Sequence, residues 1–503
     1  DNKLLSNGAG NSFDTEEQGA PIADRMRLEM STGDSEAELT TKDPLPYLTL
    51  LFPLLLVYIS NQWSRSSLYY LVDFSDTATA EYSMNVALNF NQAQYGLLAS
   101  VAFTALFAIA SLLAGSLADK YDRKVLTVCA CVAWSLATLY TGTVASGYND
   151  VLIARVFMGL ACAFSTPAAY TFIADSFPKD KASFASSLLG SGVYLGGALS
   201  SLSILLDKEF GWQGALQIIA VFGLVSAGTS FLLLPDDSKE KGMEDNSAGT
   251  LTLEDNGSVQ NDISSSSNPA STSLLSDAKE IISTERIQWL FFASFVRFCS
   301  GLCIGVWSAP YFRLAFPDDS SSYAVVNAFI VSICGVSSGL LGGTLADLAG
   351  AKSVENSYGD ENAGRLFIPI VGSLLAVPAW WFCLHADSFQ GAMIWLAIEY
   401  LVAECWFGPV VAVLQSNAGS KGGTAQGMFT LAGALGNFAP AGLGLLYGTL
   451  NEGTDDSQVL SSLLGYGVCL GYFTSAIGFA LSAQAGNTGG TPQTYDVDIS
   501  KNE

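Results

Sequence analysis

The sequence predicts an all-α membrane protein: twelve transmembrane helices in two six-helix halves. Three observations predict it. Half of the 503 residues are hydrophobic and only 14% are charged, where a soluble chain carries about a quarter charged residues. Apolar runs recur that are long enough for a bilayer core about 30 Å thick, which takes roughly 20 residues per helix. One ten-residue frame also occurs twice, at corresponding places in the two sets of runs.

The runs cover 46–72, 92–118, 125–145, 150–174, 183–206 and 212–235, then 286–315, 322–347, 366–385, 388–416, 423–449 and 459–482. Residues 46–235 and 286–482 are therefore the two expected halves. Residues 1–45 hold 10 acids against 4 bases, and 236–285 hold 11 against 3, so these segments carry 14 of the 24 net negative charges. Both are rich in Ser, Asn, Gly and Asp and have too little apolar surface to order themselves. They are expected to be a disordered acidic tail and a disordered acidic linker, both cytosolic. Residues 483–503 make a polar cytosolic tail. No polybasic patch is present, which speaks against a nucleic-acid partner.

The basic residues of the short loops set the orientation. With the N-terminus cytosolic, Lys120, Arg123, Lys124, Lys179, Lys181, Lys352, Arg365 and Lys421 all fall on the cytosolic side, and Lys208 alone falls in the opposite loops. That asymmetry follows the positive-inside rule and places both termini in the cytosol. Asp1-Asn-Lys-Leu4-Leu5 is similar to an acidic dileucine sorting signal, which favours an endolysosomal or plasma membrane.

The nine cysteines lie inside apolar runs, where a thiol behaves as a small core residue. His385 is the single histidine. With no metal-ligand spacing and no nucleophile–base pair in view, neither a metal site, nor a cofactor, nor enzyme chemistry is expected.

The repeated frame is Gly115-Ser-Leu-Ala-Asp119-Lys-Tyr-Asp-Arg123-Lys124 in the first half and Gly343-Thr-Leu-Ala-Asp347-Leu-Ala-Gly-Ala-Lys352 in the second. In each copy the Gly is expected to let helices approach closely, the Asp to end its helix and pair with a neighbour, and the bases to stay cytosolic. Internal duplication of this kind marks many transporter folds, with the site between the repeats. Over residues 46–482 the chain resembles the major facilitator superfamily, whose loop between second and third helices carries this motif. Arg155-x-x-x-Gly159 and Pro235-Asp resemble further marks of that family.

Within it, the chain is most similar to Spinster-like lipid transporters. Asn61-Gln-Trp-Ser-Arg65, Ala174-Asp-Ser-Phe177, Trp307-Ser-Ala-Pro310 and the helix-10 Glu399 carry that resemblance. Two positions depart from it: Ser64 and Cys162 stand where those transporters carry Asp and Glu. The resemblance implies a secondary transporter of a small amphipathic or anionic solute, with a lysolipid or sphingoid-type molecule favoured. An organic anion or sugar-like solute is the alternative within transport. A transport-dead homologue serving as receptor or membrane-complex subunit is the alternative outside it.

Charges within the runs point to the candidate site, because a charged side chain at mid-bilayer costs at least about 2.5–3.5 kcal/mol. They are Arg65, Arg155, Arg297, Glu399 and Glu404. Arg65 and Arg297 are candidate substrate contacts, since a guanidinium presents a fixed fork of donors to phosphate or carboxylate. Trp63, Trp307 and Trp406 are candidate apolar contacts for the same solute. Glu399, Glu404 and Arg155 are candidate coupling residues. A solute drawing Arg297 away from a Glu would free that Glu for a proton, so protons join the solute and the bilayer as expected partners. Arg155 has a second reading, an outward snorkel, and the Glu residues a second reading as a static strut with Arg297.

Overall fold

The computed structural model describes residues 45–118, 122–177, 179–235, 274–355, 360–450 and 456–485, and every regular element among them is helical. α1 is Leu45–Ser66, which tightens into a 3-10 turn at Ser67–Tyr70. α2 is Gln92–Ala99 with Val101–Ala118, α3 is Arg123–Thr143, and α4 is Tyr148–Cys162 with Ser165–Ser176. A continuous helical run, Lys179–Leu233, is broken at Gly211, where φ is 70°. Such a backbone is open to Gly and strained for other residues, so the run splits into α5, 179–210, and α6, 212–233.

The second set begins with α7, Glu285–Ala315. α8 is Ser320–Phe329, passing through a π turn at Ile330–Gly335 into Val336–Glu355. α9 is Glu361–Leu384; α10 is Phe389–Ala403, a 3-10 turn at Glu404–Trp406, and Phe407–Ala418. α11 is Gly422–Gly436 with Phe438–Leu450, and α12 is Asp456–Ala485.

Among the described residues, 9 stretches are long and apolar enough to cross a membrane. One of them, Leu188–Leu233, runs through both α5 and α6. α1 and α4 fall short for local reasons. The second half of α1 is polar through Asn61, Gln62, Ser64 and Arg65, and α4 is interrupted at Ala163 and Phe164. The architecture is consistent with the twelve-helix expectation.

Apolar side chains face both ways, as they must when helices pack on one another and on hydrocarbon. Trp134, Trp307 and Trp380 are fully buried, whereas Leu232, Leu348 and Leu470 are largely exposed. Close approach is built on small residues. A Cβ on Gly196 of α5 would lie 2.5 Å from Cβ of Gln62 on α1, and one on Gly444 of α11 would lie 2.7 Å from the Gln92 carbonyl oxygen on α2.

Two sequence expectations are corrected. Leu274–Ser283 lies inside the segment expected to be a disordered linker, yet it is helical. Its apolar residues explain this: Ile281 is buried and joins Ile287 and Leu290 of α7 in one cluster. The second copy of the repeated frame also behaves differently from its expectation. Asp347 does not end its helix, because α8 continues to Glu355. Gly343 meets nothing within 4 Å, and the close approach belongs to its neighbour Gly342, whose Cβ would lie 2.6 Å from Cα of Cys405 on α10. The tails at 1–44 and 486–503, the linker at 236–273 and Asp119 lie outside the described residues.

Candidate functional site

Three polar constellations sit inside this apolar bundle. The first lies where the last turn of α1 meets the first halves of α2 and α4. Arg155 is 3% exposed, so it does not snorkel. Its Nε donates to the Leu98 carbonyl at 3.1 Å and its Nη1 to the Arg65 carbonyl at 2.8 Å. Arg155 therefore ties α4 to α2 and to α1, and its Nη2 is buried without a partner. The guanidinium of Arg65 lies 4.7 Å from the centre of the Phe103 ring, and that of Arg155 lies 5.8 Å from the same ring. A cation held against an aromatic face is stabilised by the ring quadrupole. Among the described residues, neither arginine has a carboxylate partner. Ser64 and Cys162, both buried beside them, offer only a hydroxyl and a thiol. Two positive charges thus share one ring, with no acid among the described residues to neutralise them.

The second constellation joins α7, α10 and α12. Arg297 is 1% exposed. Its Nη2 donates to the Ala403 carbonyl at 2.8 Å and reaches Glu404 at 3.3 Å. The 3-10 turn at Glu404–Trp406 interrupts α10 and turns that carbonyl and that carboxylate toward α7. The guanidinium also lies over the rings of Tyr472, at 4.7 Å, and Trp406, at 5.4 Å. Glu399 is 2% exposed and accepts a hydrogen bond from the Tyr472 hydroxyl. Four of the five charged or aromatic residues named on α7 and α10 from sequence (Arg297, Glu399, Glu404 and Trp406, but not Trp307) therefore gather here. Tyr472 completes the set and carries no sequence signal beyond being a Tyr in an apolar run. The field of Arg297 and Glu404 also reaches Tyr194 of α5, whose ring packs against Gly335 in the π turn of α8.

The third constellation closes the end of the bundle where α1, α5 and α7 finish. Arg313 of α7 donates to the Tyr70 carbonyl at 2.7 Å and pairs with Asp207 of α5 at 3.4 Å and with Asp73 at 3.7 Å. Asn327 of α8 donates to the Ser201 hydroxyl at 3.0 Å and the Tyr70 hydroxyl at 3.3 Å. Nearby, the Tyr95 hydroxyl of α2 donates to the Val306 carbonyl at 2.6 Å, and the indole of Trp307 donates to the Pro440 carbonyl at 3.0 Å. Every one of these bonds but the last joins the first six helices to the last six. Trp307 is fully buried, with the Tyr95 and Tyr447 rings edge-on at 4.9 and 5.7 Å. It therefore belongs to this closed end rather than to an open cavity. Trp63 is likewise buried, its indole donating to Ser203 of α5 at 2.9 Å. Asp207 and Asn327 were not identifiable from sequence, because nothing local links residues more than 100 positions apart.

None of the polar bonds of these three constellations is made by a residue of the repeated frame, although its second copy begins next to Gly342, which packs on Cys405. Asp122 caps α3 through the backbone N–H of Lys124 at 2.8 Å, and Lys124 lies over the Phe231 ring of α6 at 5.1 Å. Arg123 opens the same helix, and Gly115 lies in the last turns of α2. Asp347 pairs with Arg365 of α9 at 3.1 Å, and Lys352 lies on the exposed last turns of α8.

Comparison with known proteins agrees with this architecture. The chain is 24% identical over 416 residues to the probable sulfoacetate transporter SauU of Cupriavidus necator, covering 81% of this chain and 90% of that one. It is 27% identical over 224 residues to the sphingosine-1-phosphate transporter SPNS2 of Mus musculus, covering 44% of this chain and 37% of that one. Some relatives, such as the hexuronate transporter of Bacillus subtilis, are matched over less than half of their length. Among solved structures, the chain matches a bacterial homologue of the human lysosomal transporter Spinster in an inward-facing, unoccupied conformation. That match has a TM-score of 0.64 and 16% identity, covering 89% of this chain and 97% of that one. The model of the Major Facilitator Superfamily matches residues 52–440. The chain is a multi-pass membrane protein that belongs to the Major Facilitator Superfamily, a family of secondary transporters.

Proposed function

We propose that this transporter moves a small anionic, amphipathic solute by alternating access, with a lysolipid or sphingoid-type phosphate as the favoured class. The observation that carries the reading is the Arg65–Arg155 pair on the Phe103 ring, which has no carboxylate partner among the described residues. An uncompensated double positive charge in an apolar wall calls for an anion, and guanidinium donors suit phosphate or carboxylate. The printed names of the relatives point the same way, since sulfoacetate and sphingosine-1-phosphate are both anions.

In this reading the halves 46–235 and 286–482 rock about the site. With the termini cytosolic, closure by Arg313, Asp207 and Asn327 makes this the inward-facing state. Arg297 competes between the arriving anion and Glu404, and Glu399 with Glu404 carries the coupled proton. Trp406, stacked on Arg297, and Trp63 supply apolar contact for the solute's chain.

A second reading, a short organic anion, is favoured by the sulfoacetate relative, which aligns over far more of both chains than the sphingosine-1-phosphate relative does. Thermal unfolding of the purified chain separates the two. An anionic lysolipid that raises Tm, while its neutral analogue and sulfoacetate do not, supports the first reading. Stabilisation by sulfoacetate alone selects the second. No shift with any anion contradicts both.

A further inference from the structure

On the outer face of the last six helices, α7, α11 and α12 enclose a groove of about 930 Å³. Its walls include Val296 and Cys303 on α7, Leu443 and Leu446 on α11, and Val459 and Leu463 on α12. No lining residue is charged, so it is not a second site for the anion proposed above. All three walls belong to stretches apolar and long enough to cross a membrane, and the rim residues Leu446, Tyr466 and Leu470 are 52%, 67% and 67% exposed. The medium at its mouth is therefore hydrocarbon.

Three features make this more than a rough patch of surface. Along α12 the lining runs from Gln458 to Thr474, about 24 Å at 1.5 Å per residue, on the order of an extended acyl chain. Its polar end is at the membrane boundary: Gln458 lies in the first turn of α12, which begins at Asp456, and Ser462 follows one turn on. The exposed Gln458 side-chain NH2 can donate there, and the ester carbonyl oxygens of a lipid are acceptors at that depth. The groove is also held open by glycines. A Cβ added to Gly442 or Gly467 would meet nothing within 4 Å, so the space is vacant where ordinary side chains would fill it.

We propose that this groove is a binding site for one acyl chain of a bilayer phospholipid, with the lipid's ester region at Gln458. The site lies on the back of the wall that carries the Arg297 cluster. Val296 flanks Arg297 on α7, and Gly471 flanks Tyr472 on α12. A lipid seated here therefore buttresses the two helices between which Arg297 and Tyr472 meet.

The test is photolabelling of the full chain reconstituted in phosphatidylcholine vesicles containing a trace of phosphatidylcholine with a diazirine on one acyl chain. The expected result is adducts several-fold more abundant on peptides spanning 296–303, 442–450 and 458–474 than on the exposed face of α8 at Leu340, Leu341 and Leu345. Gly442→Leu combined with Gly467→Leu should remove that excess and leave α8 labelling unchanged. If the double variant fails to fold, Ser462→Leu, at an exposed position of the wall, serves the same end. Equal labelling of groove and α8, labelling untouched by the fillers, or crosslinking of two protein copies through this face would overturn the proposal. So would displacement of the label by unlabelled anionic lysolipid, which would make the groove a substrate site. The outcome is independent of whether the transported solute is a lysolipid.

Discussion

Arg313 of α7 and Asp207 of α5 meet at 3.4 Å with both side chains under 8% exposed, and this ion pair joins the first six helices to the last six at the closed end. Removing one partner of a buried pair typically destabilises the arrangement by about 3–5 kcal/mol, because the other charge is left alone in an apolar setting. Asp207→Asn leaves Arg313 only the longer contact with Asp73, at 3.7 Å, and should therefore weaken the closed state, by less than that full amount, while the fold is kept. Spin labels at Lys208→Cys and Ser321→Cys, residues that touch across this end at 3.3 Å, report the change. The expected outcome is a shift from one short distance to a distribution reaching longer ones. A distribution identical to that of the parent would show that the pair does not hold the gate.

Gly444 makes the opposite prediction. A side chain there would strike the Gln92 carbonyl oxygen and Cα of Gly96 on α2. Backbone cannot retreat as a flexible side chain can, so Gly444→Val should prevent this end from closing while each set of six helices remains packed. Transport should be lost, and the same pair of spin labels should report long distances only. Retained transport would mean that the α2–α11 approach is not part of the cycle.

Arg155 is a strut rather than a snorkelling surface residue. Its two bonds to carbonyls on α1 and α2 use the planar fork that Lys lacks. Hydrogen bonds made by a charged group contribute about 1.5–3 kcal/mol, so Arg155→Lys should lower stability by about that amount. Thermal unfolding in detergent measures it, and an unchanged Tm would contradict the strut assignment.

Glu399 and Tyr472 form a hydrogen-bonded pair within reach of Arg297. If Glu399 carries the coupled proton, Glu399→Gln should flatten the pH dependence of transport, and Tyr472→Phe should displace it without abolishing it. Proteoliposome uptake across a range of external pH is the measurement. Unchanged pH profiles in Glu399→Gln and in Glu404→Gln would end the proton-coupling proposal.

Much of the architecture was legible in the sequence because membrane spans are encoded locally, as runs of apolar residues. The positions of Arg65, Arg297, Glu399 and Glu404 within those runs were enough to mark them as candidates. Their partnerships were not legible. Arg65 and Arg297 looked like two ends of one substrate clamp, yet Arg65 shares Phe103 with Arg155, while Arg297 is engaged by Glu404, Tyr472 and Trp406. Arg313 read as a basic residue at a helix end. Its importance depends on Asp207 and the Tyr70 carbonyl, brought to it by packing alone. The helix at Leu274–Ser283 was hidden because its apolar residues sit beside a Ser-rich stretch that dominates the composition.

Arg65 and Arg155 are proposed to hold the negative charge of the transported solute. Uptake of an anionic lysolipid and of its neutral analogue into proteoliposomes, compared between the parent and Arg65→Ala, tests it most directly. The parent should strongly prefer the anion, and Arg65→Ala should lose the preference while its Tm stays close to that of the parent. Transport of the anion undiminished in Arg65→Ala, or equal transport of both solutes by the parent, would contradict it.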